Sequence, residues 1–134
     1  LDAGATIVND VTAGRHDPRL LEVVAERGAG VVLSHSRGAL GALASYDLAD
    51  YGGDVTGTVA RELAAATNAA IAAGVAPDAI VVDPGFGFGK TPPQNFTLFD
   101  QLDGIVALGH PVLVGVSRKR FLAEVLVGAF IFCS

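Results

Sequence analysis

The residues of this chain that could do chemistry sit in two short segments. One is Val82-Asp83-Pro84-Gly85-Phe86-Gly87-Phe88-Gly89-Lys90, and the other is Gly115-Val116-Ser117-Arg118-Lys119. Each closes an apolar run, residues 79–82 and 112–114, whose length and β-branched content read as a buried strand. A carboxylate at one strand end and an ammonium at a nearby one can read two sides of a flat heterocycle. The carboxylate accepts from ring N–H groups, and the ammonium donates to ring acceptors. Glycines 85, 87 and 89 let the backbone turn sharply and approach a ligand, while Phe86 and Phe88 offer apolar faces. A plain tight turn with two core phenylalanines is the rival reading, and it leaves Asp83 without a role.

Two other glycine motifs fail on spacing. A phosphate-binding loop that ends at Gly89-Lys90-Thr91 would need a glycine where Pro84 stands. A dinucleotide fingerprint that starts at Gly85 meets Lys90 at its sixth position. Both readings drop out.

The elements that must carry these residues form four strand-then-helix units. Residues 6–8 make a short strand ending at Asn9-Asp10. Asp17-Pro18 reads as an N-cap with proline at the first helical position, and Gly28 as that helix's stop. Residues 31–33 are the second strand, ending at Ser34-His35-Ser36-Arg37-Gly38. A long loop runs to Gly53, and Asp54 caps an alanine-rich helix that ends near Gly74. The third strand ends in Asp83. Residues 92–95 read as a turn, 96–108 as a helix stopped by Gly109, 112 onward as the fourth strand, and 118–126 as a last helix. Alternating strands and helices predict a parallel sheet, and near-continuous apolar strands predict burial on both faces. Asn9, His35, Asp83, Ser117 and Lys119 gather after the strands, which is the catalytic end of a (β/α) barrel. An open doubly wound sheet is the alternative.

Bulk properties narrow the class. The 134 residues make one domain at most, and 51% apolar content demands a packed core. No apolar run approaches the roughly 18 residues that cross a bilayer. Net charge −5 with scattered Lys and Arg argues against nucleic acid as the ligand. The lone Cys133 has no internal partner, which predicts a cytoplasmic protein. The chain starts at Leu1 and holds no methionine, so we expect the native start to lie upstream.

Asn9-Asp10-Val11, the His35 segment, Asp83 to Lys90, Asn95 and Ser117-Arg118-Lys119 together resemble the dihydropteroate synthase family in order and spacing, from about Ala5 to Leu122. The resemblance implies a partial pterin-binding domain over 1–134: about four βα units of an eight-stranded TIM-type (β/α) barrel, class α/β, homodimeric when complete. It implies condensation of 6-hydroxymethyl-7,8-dihydropterin pyrophosphate with p-aminobenzoate to 7,8-dihydropteroate, with Mg²⁺ assistance and sulfonamides as competitors. By match of position, Asp83 and Lys119 would carry the catalytic contacts. Asn9, Val11, Ser34, Asp83, Phe88, Gly115 and Lys119 would hold the pterin, and Gly87, Phe88 and Ser117 would lie near p-aminobenzoate. No residue of this chain matches the family's metal ligand.

Each residue also has an ordinary reading. Asp83 could cap a turn, Asn9 could be a turn residue, and Lys119 a solvated lysine. Arg118 is expected to make a structural ion pair, His35 to be a satisfied strand-end histidine, His16 and His110 to lie in loops, and Lys90 to face solvent. The family has methionine on both sides of the histidine, where this chain has Ser34 and Ser36; Ser34 would widen or wet the pterin wall. The tail from Gly128 to Ser134 does not match the family. A pterin-dependent methyltransferase of the same superfamily, and a non-catalytic half-barrel binding module, are the competing functions.

Overall fold

The structure is a computed structural model that describes residues 1–124. The 128–134 tail, Cys133 and the far end of the helix expected over 118–126 lie outside the described residues. Three parallel strands, β1 (Ile7–Asp10), β2 (Gly30–Ser34) and β3 (Ile80–Asp83), lie side by side in that order. The register pairs Asn9 with Val32, Val32 with Val81, and Ser34 with Asp83. Because side chains alternate along a strand, Ile7, Asn9, Val32, Ser34, Val81 and Asp83 share one face. Val8, Asp10, Val31, Leu33, Ile80 and Val82 share the other.

The helices α1 (Leu20–Glu26) and α2 (Val55–Ala72) cover the second face alone. Leu21, Val24, Val59, Leu63 and Ala70 form one cluster with Val31, Leu33, Ile80 and Val82, and Val32 is not part of it. The first face stays open at β1, where Ile7 is 60% exposed. Burial on both faces, expected from the apolar strands, holds for the central β2, where Val31, Val32, Leu33 and Ser34 are all buried, and fails at β1. Helices on a single face suit a barrel segment whose other face looks toward the barrel axis, and a doubly wound sheet would carry them on both.

Local chemistry explains most element boundaries. Asp54 caps α2 as expected, its Oδ1 accepting from the Gly57 N–H at 2.8 Å. Asp17 accepts from the Arg19 N–H, but α1 begins only at Leu20, so Pro18 sits in the preceding turn rather than in the helix. Strand β1 runs further than expected and takes in Asn9 and Asp10. Residues 92–95 are not a turn but the start of helix α3 (Pro92–Asp100). Thr91 and Gln94 form a capping box around proline at the first helical position, a signal present in the sequence. The helix expected to run to 108 breaks after Asp100, and a short α4 (Asp103–Val106) follows. Gly104 there brings α4 against α2, where a Cβ would lie 3.0 Å from the Thr56 methyl.

The fourth strand shrinks to a single parallel bridge between Val82 and Val112. Val82 donates to Pro111 O at 2.9 Å, and Leu113 donates to Val82 O at 2.8 Å. Pro111 has no N–H with which to extend that ladder. None of the described helices is long and apolar enough to cross a membrane.

Candidate active site

The rim of the sheet brings Ser34 and Asp83 together. They are register partners, and the Ser34 hydroxyl donates to Asp83 Oδ2 at 3.3 Å while Asp83 Oδ1 accepts from the Gly85 N–H at 2.8 Å. Asn9 stands on the same face one row below, exposed. Asp10, on the opposite face, is committed to structure: its carboxylate accepts from the Thr12 and Gly14 N–H groups and the Thr12 hydroxyl. Val11 follows it, and its carbonyl accepts from Ser36 Oγ at 2.6 Å.

The loop from Gly85 to Lys90 is built around left-handed glycines. Gly85 has φ +70, and a Cβ there would fall 1.8 Å from His35 O, so the chain passes too close for any side chain. A turn closes from Gly85 O to Phe88 N at 3.0 Å. Asn95, fully buried on α3, accepts from the Gly87 N–H at 2.8 Å and donates to Lys90 O and Thr91 O. The two phenylalanines part company. Phe86 is buried against Phe99 and Phe121, whereas Phe88 stays at the surface of the loop.

Lys119 closes over this loop. Its ammonium lies 3.9 Å from the centre of the Phe88 ring, and its stem passes over Gly87, where a Cβ would meet it at 3.1 Å. Gly87, Phe88 and Lys119 line a hollow of about 200 Å³ with Asn95, Arg118 and Arg120. Gly115 and Ser117 are exposed on the segment leading to it, and Gly115 has open space where a side chain would be. Arg118 makes no ion pair among the described residues, contrary to expectation; it takes a left-handed φ of 58 and lines the hollow.

The expectation that Lys90 faces solvent fails outright. Lys90 is fully buried, with its ammonium 2.9 Å from His35 Nδ1 and 3.0 Å from both Gly85 O and Phe88 O. A charged lysine only donates, so His35 Nδ1 accepts, and the other ring nitrogen donates to Glu62 Oε2 at 2.7 Å. Burial, together with the nearby lysine charge, drops His35 to about 4 against the pull of Glu62. Burial likewise brings Lys90 down to about 7, although Asp83 and Glu62 favour its charge. Hydrogen bonds from His35, and then from Arg37, hold the Glu62 carboxyl at about 2 despite partial burial. Arg37 also lies 4.0 Å over the Tyr51 ring.

A larger hollow of about 760 Å³ lies on the helix side, between α1, α2 and the loop after β2. It includes none of the strand-end residues expected to bind. Several of its polar groups are already paired, Arg37 with Glu62 and Arg15 with Ser36. The residues expected to do chemistry lie elsewhere, at the sheet rim and the glycine loop.

A family model described as pterin binding enzyme matches residues 1–130. The chain belongs to the pterin binding enzyme family. It is 46% identical over 129 residues to the dihydropteroate synthase of Mycobacterium leprae (strain TN), covering 96% of this chain and 45% of that protein. The crystal structure of dihydropteroate synthase from Thermus thermophilus in complex with 4-aminobenzoate superposes with a TM-score of 0.82 at 44% identity, over 92% of this chain and 46% of that one. Dihydropteroate synthase from Xanthomonas albilineans in complex with 7,8-dihydropteroate gives 0.81 at 38% identity, over 93% and 43%. This chain thus spans less than half the length of these relatives, and its fold is part of their α/β barrel.

Within this pterin-binding family segment, the expected site residues fall into two groups. Asn9, Ser34 and Asp83 stand on the sheet rim, and Gly87, Phe88 and Lys119 line the hollow beside it. Val11, Gly115 and Ser117 occupy the flanking loops. Reading the sequence missed Lys90 as a buried group, and missed Glu62 as the partner of the His35 ring that Lys90 contacts. Glu62 carried no signal of that role, since it is an exposed residue of α2 beside the buried stripe of Val55, Val59 and Leu63. The residues present do not fit a Mg²⁺ site. Among the described residues no three His, Cys, Asp or Glu cluster to hold a metal.

Proposed function

We propose that this chain supplies the pterin-binding portion of a cytoplasmic dihydropteroate synthase, which joins 6-hydroxymethyl-7,8-dihydropterin pyrophosphate to p-aminobenzoate. The observation that carries this reading is that Asp83, at the end of β3, and Lys119, in the segment after the Val112 bridge, flank one glycine loop whose walls are Gly87 and Phe88. The names of the relatives support it, as does the 4-aminobenzoate bound to the Thermus thermophilus protein. Dihydropteroate bound to the Xanthomonas albilineans protein points the same way. Nothing favours the methyltransferase alternative.

On this reading, the pterin lies on the sheet rim with its amino-pyrimidine edge toward Asp83. One carboxylate can accept the two adjacent N–H groups there, and Lys119 donates to the ring's oxygen and nitrogen acceptors. The arylamine nitrogen forms a bond to the methylene carbon as the C–O bond to pyrophosphate breaks. The pyrophosphate keeps that electron pair, and the amine gives up a proton. Positive charge that builds on the pterin as the leaving group departs faces the Asp83 carboxylate, which stabilises it. Ring placement between Phe88 and the rim holds the methylene in line for the amine.

The experiment is a titration of 6-hydroxymethylpterin into the protein and its Asp83→Ala and Lys119→Ala variants. Charge-assisted hydrogen bonds of this kind contribute roughly 1.5–3 kcal/mol each, so each variant should bind about tenfold or more weakly. Unchanged affinity in both sinks the assignment.

A further inference from the structure

Lys90 is a basic residue whose side chain is fully buried. Burying an ammonium is unfavourable unless every N–H finds an acceptor. Here each of its three finds one: His35 Nδ1, Gly85 O and Phe88 O. Two of those acceptors are the ends of the turn that carries Gly87 and Phe88, and Gly85 O also closes that turn by accepting from Phe88 N. The third is the ring of the residue that follows Ser34, the hydroxyl partner of Asp83. The ammonium therefore ties the turn to the end of β2, and Lys90 itself borders the hollow lined by Gly87, Phe88 and Lys119.

We propose that Lys90 is a positioning residue: by drawing the Gly85 and Phe88 carbonyls together, its ammonium holds the glycine loop in the shape that presents Asp83 and Phe88 to a pterin. The inference rests on the pterin reading above and deepens it. Deprotonation removes one N–H, leaves one of the three acceptors without its lysine donor, and loosens the turn. The charged and titratable groups around Lys90 are Asp83 at the end of β3, His35 and Arg37 after β2, Glu62 on α2, Tyr51 in the long loop and Lys119 above the loop. Asp83 and Glu62 favour the charged lysine, while Arg37 and Lys119 oppose it, with burial the largest opposing influence.

A role in positioning differs from a role in stability by sign. The folded lysine titrates near 7, below its ordinary 10.5, so stability from this group rises with pH between those values. Pterin affinity that needs the charged lysine must instead fall as pH rises through about 7.

The test measures 6-hydroxymethylpterin affinity between about pH 6 and 9, with ligand-free amide exchange at residues 87–89, in the protein, Lys90→Met and Glu62→Gln. Lys90→Met should weaken binding about tenfold at the acid end and abolish the fall that separates it from the parent. Its loop amides should exchange at least about tenfold faster, with β2 and α2 amides unchanged. Native affinity with a native pH profile, or native loop exchange, overturns the proposal. Should Lys90→Met fail to fold, Glu62→Gln decides. Removing that carboxylate should move the fall in affinity to lower pH, and an unmoved profile overturns the proposal. A parent protein that binds no pterin at any pH defeats the functional reading alone; loop exchange in Lys90→Met, or in Glu62→Gln across pH, then still tests the lysine's hold on the turn.

Discussion

The two segments that frame the candidate site are built to different standards. The glycine loop after β3 is tied from three directions: by Lys90, by Asn95 from α3, and by His35, whose backbone donates to Asp83 O at 2.8 Å. The segment from Leu113 to Ser117 has one bridge behind it, and Leu113 and Val114 are 40% and 39% exposed. The half of the proposed clamp that carries Asp83 is therefore pre-formed. The basic half is positioned mainly by what Lys119 touches, namely Gly87 and Phe88. Order in this site flows from the loop to the lysine.

Paired glycines test that contrast most sharply. In Gly85→Ala, the new methyl would overlap His35 O, and neither backbone can yield without breaking the Lys90 contacts. We expect a loss above about 4 kcal/mol, or a protein that does not fold, measured by chemical denaturation. A variant of near-native stability would show that the loop is far more pliable than its ties imply.

Acid should loosen the better-built region next. His35 titrates near 4 instead of 6.5, so an unfolded chain takes up a proton between those values that the folded one refuses. Glu62, held near 2, adds the same sign below 4.5. Thermal midpoints should fall as pH drops below about 6.5 and keep falling toward 2. In His35→Asn, the part of that slope between 6.5 and 4 should flatten; an identical slope would mean that other groups govern it.

Gly87→Val probes the seam between the two halves. A branched side chain at φ +80 would push into the Lys119 stem and the hollow beside Phe88. Binding of p-aminobenzoate and of sulfonamides should weaken about tenfold or more, and pterin binding less, as read by calorimetry. Intact binding of both would place that subsite elsewhere. The smallest effect belongs to Gly115→Ala. Nothing lies within 4 Å of the new Cβ, so stability should change by less than about 0.5 kcal/mol. A large loss there would mean that the second segment is packed more firmly than its single bridge implies.

Strand ends were legible in the sequence because a buried strand and its polar terminus are local patterns. Asp83 after an apolar run is such a case, and so is Asp54 before an alanine-rich helix. Lys90 was not, because its burial depends on acceptors that reach it only after folding, one of them on His35, 55 positions away. Phe86 and Phe88 look alike in sequence, yet one packs against Phe99 and Phe121 and the other under Lys119. The α3 boundary was misread for a different reason. Its Thr91-Pro92-Pro93-Gln94 capping pattern is local, but two prolines in a row read first as a turn.

The long excursion between β2 and α2 is pinned to the glycine loop at few places. Gly89 donates to Leu43 O, the Tyr51 hydroxyl donates to Gly89 O, and Gln94 reaches Ala49 O. Residues 39–42, between Gly38 and the first of those pins, are all exposed. Evolution is thus free to lengthen the chain there without disturbing the site, whereas a single deletion between Leu43 and Tyr51 would drag on Gly89 itself. Natural variation in this excursion should accumulate ahead of Leu43, and the spacing from Leu43 to Tyr51 should drift far less.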